Sequence, residues 1–169
     1  MTTVWVICCA FLALVTELLA GDYGAALPLF PLVVFYFTVV LGWRSTAVLF
    51  LALGTVLDLA FGRMLPVSVL EVIVVQALAV FWRRHGDCRH AGAQAVAGFA
   101  VGACDGALAL LLLVLPGARW ESSLAGEALC VVGEASLAAA ILLPLLRAGL
   151  DTAAEHMVFD CYTQVRDTR

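Results

Sequence analysis

Six apolar stretches with short breaks between them leave this chain few ways to fold. They run over residues 3–20, 25–41, 46–62, 65–82, 91–115 and 124–148. A helix needs about 20 mostly apolar residues to cross a bilayer, with a range of roughly 17–25. The breaks read "GDYG", "GWRS", "GRM", "RRHGDCRH" and "PGARWESS", all turn or charge chemistry. The pattern predicts an all-α, polytopic membrane protein: a six-helix transmembrane domain over 1–150, then a cytosolic amphipathic tail over 151–169. Composition agrees, with 64% hydrophobic residues and a mean hydropathy of +1.06, where a soluble domain is nearer half apolar. Pro28 and Pro66 fall in first turns, where proline is tolerated. Pro31 and Pro144 lie deeper and are candidate kinks.

The charges give an orientation. All nine basic residues are arginine. With the N-terminus inside, the cytosolic segments hold Arg44, Arg83, Arg84, Arg89, Arg147, Arg166 and Arg169, and the outer loops hold Arg63 and Arg119. The excess of positive charge belongs on the cytosolic side, so both termini are expected inside. The first stretch opens on "MTT" without a basic residue and is too long for a signal-peptide core, so it reads as an uncleaved helix. No interleaving of basic and aromatic residues suggests a nucleic-acid partner. The loops are too short to hold an enzyme domain, so any function sits within or between helices, in contact with membrane lipids.

No catalytic constellation falls inside a span. The histidines all lie outside, and there is no Ser/His, Cys/His or HExxH arrangement. His85, Cys88 and His90 in "HGDCRH" lack the paired spacing of zinc frameworks and read as a polar loop. The chain is therefore expected to be non-enzymatic, with no metal and no cofactor.

The acids inside the spans are more informative. They are Glu17, Asp58, Glu71, Asp105, Glu127 and Glu134. A helix rises about 1.5 Å per residue, which puts Glu17, Asp58 and Glu127 roughly 5–6 Å inside the outer boundary, Glu71 about 9 Å and Asp105 and Glu134 about 15 Å. None falls in the inner half. An ionised carboxylate at mid-bilayer costs about 2.5–3.5 kcal/mol on insertion scales, so such groups face a bundle interior or a cavity. Glu17 and Glu127 read as helix-end acids reaching the headgroups. Asp58, Glu71, Asp105 and Glu134, with Arg63 in the turn as a partner for Asp58 or Glu71, form a candidate polar vestibule opening outward. If Asp58 packs and hydrogen-bonds in the interior, Asp58→Asn should be mild, because the amide keeps an acceptor and nearly the same volume.

Glycines mark close-packed faces. Gly98, Gly102 and Gly106 recur every four residues, a doubled small-xxx-small pattern that admits a neighbouring helix. Gly54 and Gly62 bracket Asp58 at the same interval, and positions four apart share one side of a helix. In the tail, Ala154, Met157, Val158, Cys161, Tyr162 and Val165 form an apolar stripe, with Asp151, Glu155, Asp160 and Asp167 off it. Such a tail lies along the bundle, docks a partner, or is a solvated end.

The region "LPLFPLVVFYFTVVLGWRSTAVLFLALGTVLDLAFGRMLPVSVLEVIVVQALAVFWRR" resembles the rod shape-determining protein MreD family. It has a proline-containing second helix (Pro28 or Pro31), then G-x-x-x-D-x-x-x-G through Gly54, Asp58 and Gly62, then a short turn and a helix ending in arginines. The family's usual "LG" after the turn is here Leu65–Pro66, and past residue 90 the match is one of hydropathy alone. The resemblance implies a six-helix bundle like the S components of energy-coupling-factor transporters. It implies a scaffold of the cell-elongation machinery in the bacterial inner membrane, binding a single-span MreC-like partner alongside RodA and a class B transpeptidase. The kinship with S components implies the alternative, a substrate-binding subunit of a vitamin transporter.

Overall fold

A computed structural model gives the fold and describes residues 2–22, 27–60, 66–86, 90–114 and 122–157. Among these residues there are six α-helices: α1 (Thr2–Asp22), α2 (Leu29–Leu41), α3 (Trp43–Ala60), α4 (Val67–His85), α5 (Ala91–Val114) and α6 (Ser122–Met157). Each falls where an apolar stretch is expected. Four of them, α1, α3, α5 and α6, contain segments long and apolar enough to cross a membrane.

α2 is the short, central helix. It has 13 residues, or about 20 Å at a rise of about 1.5 Å each, against a hydrocarbon core of about 30 Å. Every residue from Phe30 to Val40 is buried, as expected of a helix that is apolar all round. It packs on α1, α3, α4, α5 and α6. It starts at Leu29, four residues later than the apolar stretch suggests, because Pro28 is its N-cap. Pro31 thus sits in the first turn, where a missing N–H costs nothing.

The other helices bury one stripe each. On α3 the stripe is Thr46, Phe50, Gly54 and Asp58, one residue per turn. On α1 it is Val6, Ala10 and Ala13, and on α6 it includes Ala135, Ala139 and Leu143. Large apolar side chains such as Phe11, Val48, Leu59, Phe81, Ile141 and Leu145 point outward. A belt of this kind suits a lipid or protein environment.

The join between α2 and α3 is a single residue. Gly42 takes φ +86°, a left-handed conformation that favours glycine, and its N–H closes α2 on the Thr38 carbonyl at 3.0 Å. The Thr38 and Thr46 hydroxyls meet at 3.3 Å across this corner.

α6 corrects the expected boundary at 150. It continues through Met157, so residues 151–157 prolong the helix past that boundary. Ala154 is buried as its place on the apolar stripe suggests, but Asp151 is buried too. The remaining tail positions, 158–169, lie outside the described residues, as do Cys88, Gly62 and Arg63.

Candidate functional site

The buried acids act at helix ends. A helix leaves its first N–H groups without intrahelical acceptors, and a side-chain oxygen at the N-cap commonly takes one. α2 and α4 both have proline there, Pro28 and Pro66, in nearly the same conformation (φ −79°, ψ 60° and φ −79°, ψ 67°) and with no side-chain acceptor. The acceptor comes instead from the preceding helix. Glu17 of α1 takes the Phe30 N–H through Oε2 at 2.8 Å. Asp58 of α3 takes the Ser68 N–H through Oδ1 at 3.0 Å and the Val69 N–H through Oδ2 at 3.2 Å.

Gly54 completes the second arrangement. A Cβ there would lie 3.2 Å from the Ser68 carbonyl oxygen and 3.3 Å from the Val69 nitrogen. The absent side chain lets the first turn of α4 settle against α3, where Asp58, 6% exposed, caps it. The G-x-x-x-D spacing therefore reads as one device, close approach followed by capping. Asp58 belongs to this joint and not to an open vestibule. The Arg63 pairing expected for it lies outside the described residues.

Glu17, expected as a helix-end acid, anchors α2. The side chain of Glu127 lies outside the described residues. Glu71 of α4 and Asp105 of α5 do come together, close enough for their side chains to interact. Glu17 is near enough to Asp105 to interact through charge. Among the described residues, no three His, Cys, Asp or Glu side chains are placed to hold a metal ion. Glu134 departs from the expectation: it is exposed on the outer side of α6, away from this interior.

The glycine face of α5 lies on α6, the most extensive helix pair in the bundle. A Cβ at Gly98 or Gly102 would overlap the carbonyl oxygen of Ala139 or Ala135, and one at Gly106 would come within 2.9 Å of the Val132 Cα. The doubled glycine pattern is consumed inside the chain.

One polar cluster escaped the sequence reading. The Tyr36 hydroxyl donates to Asp151 Oδ1 at 2.6 Å, and Arg147 Nε reaches Asp151 Oδ2 at 3.3 Å. Tyr36 is only 1% exposed, so this is a buried joint between α2 and α6. The local signal was the Arg147–Asp151 spacing of four, which places both on one helix face. The tyrosine lies 115 residues away.

Fold and site together define an all-α bundle of apolar helices whose buried acids join one helix to another. Comparison with protein-family models, curated proteins and solved structures finds no match for the chain.

Proposed function

We propose that this chain is a non-enzymatic scaffold of the bacterial inner membrane, a six-span component of the cell-elongation complex that binds an MreC-like single-span protein and stands beside RodA and a class B transpeptidase. In this reading the arginine-bearing ends of α4 and α6 face the cytosol and the ends joined by Glu17 and Asp58 face outward. The observation that carries it is the use of Asp58. Within the motif that resembles the MreD family, both carboxylate oxygens accept backbone N–H groups of α4. That commitment suits a residue that builds the fold. A subunit that captures a substrate needs its acids available to the ligand, which counts against the transporter alternative at this position. The apolar outer belt supplies the surface on which partner helices would pack.

The test is affinity purification of the tagged full chain from its native membranes in mild detergent. Recovery of an MreC-like single-span protein in stoichiometric amount supports the scaffold. Recovery of an ATPase pair with a coupling subunit, and no such partner, refutes it in favour of transport.

A further inference from the structure

We infer that the groove between the α2–α3 corner and the end of α4 binds a phosphate group. The groove encloses about 420 Å³ and is lined by Thr38, Gly42, Arg44, Ser45, Arg83 and Arg84, among others, with no acid among the described residues of its wall. Three arginines thus converge from two helices. Among the described residues none of them makes an ion pair with a carboxylate. Arg44 lies over the Trp43 ring, 5.8 Å from its centroid.

A cytosolic excess of arginine does not by itself explain the arrangement, because such side chains extend into water. Arg83 does the opposite. Its guanidinium is drawn against Gly42, where a Cβ would come within 2.9 Å of Nη1. Its Nε is buried and donates to no acceptor among the described residues. A buried, unsatisfied guanidinium N–H is costly unless an acceptor arrives. The Gly42 conformation and its missing side chain make the space for this placement.

The field in the groove is positive. The C-terminal ends of α2 and α4 each contribute about half a negative charge, whereas the N-terminus of α3 contributes about half a positive one. Three full positive charges outweigh that balance. The first-turn N–H groups of α3 and the Ser45 hydroxyl add donors to the guanidinium forks. Arginine forks and helix N-terminal N–H groups are the recurring chemistry of phosphate recognition. The phosphate has two sources, a lipid headgroup or a soluble phosphate. The groove opens beside Trp43, the first residue of the α3 segment long enough to cross a membrane. That position favours a lipid, since basic pockets between helices at this level take anionic headgroups.

The lipid source rests on the membrane reading above, so the experiment keeps the two apart. Alkaline carbonate extraction of native membranes first establishes whether the full chain stays in the bilayer fraction. The purified full chain then meets two probes: phosphatidylglycerol against phosphatidylcholine by native mass spectrometry, and inorganic phosphate against chloride at equal ionic strength by thermal shift. Arg44 and Arg84 are exposed, so the R44Q/R84Q variant removes two charges without disturbing the interior. The expected result is that at least one anionic probe is preferred over its control and binds the variant at least about tenfold more weakly, as loss of charge-assisted hydrogen bonds implies. Preference for phosphatidylglycerol assigns the lipid source, and preference for inorganic phosphate alone assigns the soluble one. Arg83→Lys, which keeps the charge but loses the fork, should weaken the same probe less than Arg83→Gln. Binding unchanged in R44Q/R84Q, or no preference for either anionic probe by a chain that fractionates with membranes, overturns the phosphate groove and leaves the membrane reading standing.

Discussion

Asp58→Asn is the substitution on which the reading of the helix ends depends. With Asp58 in place, its two oxygens each hold one N–H of α4, from Ser68 at 3.0 Å and Val69 at 3.2 Å. Asparagine has one acceptor oxygen, and its NH2 group would then face the second N–H, donor against donor. The sequence alone favours a mild effect, but the two-oxygen geometry revises that. A hydrogen bond to a charged group contributes about 1.5–3 kcal/mol, so Asp58→Asn should cost about that much. Asp58→Ala removes both bonds and should cost roughly 3–5 kcal/mol, less than twice the single loss because neighbouring contributions overlap. At about 2–4 °C per kcal/mol for a chain of this size, the Asn variant should lose roughly 3–12 °C in unfolding midpoint. The assay is retention of the monodisperse peak after heating in detergent, ranked as Asp above Asn above Ala. Hydrogen–deuterium exchange locates the loss, which should fall on the first turn of α4. An Asn variant as stable as the parent, or Asn and Ala variants that coincide, would refute the two-bond cap.

The other joints give sharper contrasts. Gly102→Ala, whose Cβ would overlap the Ala135 carbonyl, should destabilise by about 1–3 kcal/mol or more through overpacking. Gly133→Ala, with nothing within 4 Å of its Cβ, should be neutral or stabilising by up to about 1 kcal/mol through helix propensity, and the same heating assay compares the two. Tyr36→Phe should cost about 1.5–3 kcal/mol, the value of a hydrogen bond to a charged group, with hydrogen–deuterium exchange loosening α2 and the Asp151 region of α6 together. Glu134→Gln, on an exposed position of α6, should shift stability by less than about 0.5 kcal/mol, and a large loss in the heating assay would place Glu134 back in the interior.

The physics of each feature decided whether the sequence could show it. Helix positions were legible because apolar runs broken by glycine, proline and charge are local signals. The glycine contacts were legible as a pattern, since four-residue spacing defines a face, though not that α6 would cover it. Position along a helix follows from counting residues, and Glu17 and Asp58 lie near the C-terminal ends of α1 and α3. Their partners were not legible: a proline N-cap advertises a missing acceptor but does not say which earlier acid supplies it. Rotation about the axis was harder still. α6 is apolar on most sides, so nothing in its sequence turned Glu134 outward. The extension of α6 was hidden because Asp151 looks like a solvent residue until Tyr36 is seen beside it.

These placements also explain why so apolar a chain carries acids at all. In the membrane setting proposed here, lipid tails are as apolar as leucine, so burial alone hardly distinguishes a neighbouring helix from lipid. Close backbone approach and polar bonds must supply the difference. Each successive helix pair has one such contact: Glu17 for α1 and α2, Thr38 with Thr46 for α2 and α3, and Gly54 with Asp58 for α3 and α4. Glu71 with Asp105 joins α4 to α5, and Gly98, Gly102 and Gly106 join α5 to α6. Tyr36 with Asp151 closes the set by returning α6 to α2. α2 is too short for a bilayer to position by length, yet it is held near its start, in its second half and at its final corner. The acids that look misplaced in an apolar sequence are thus what gives an apolar bundle its register.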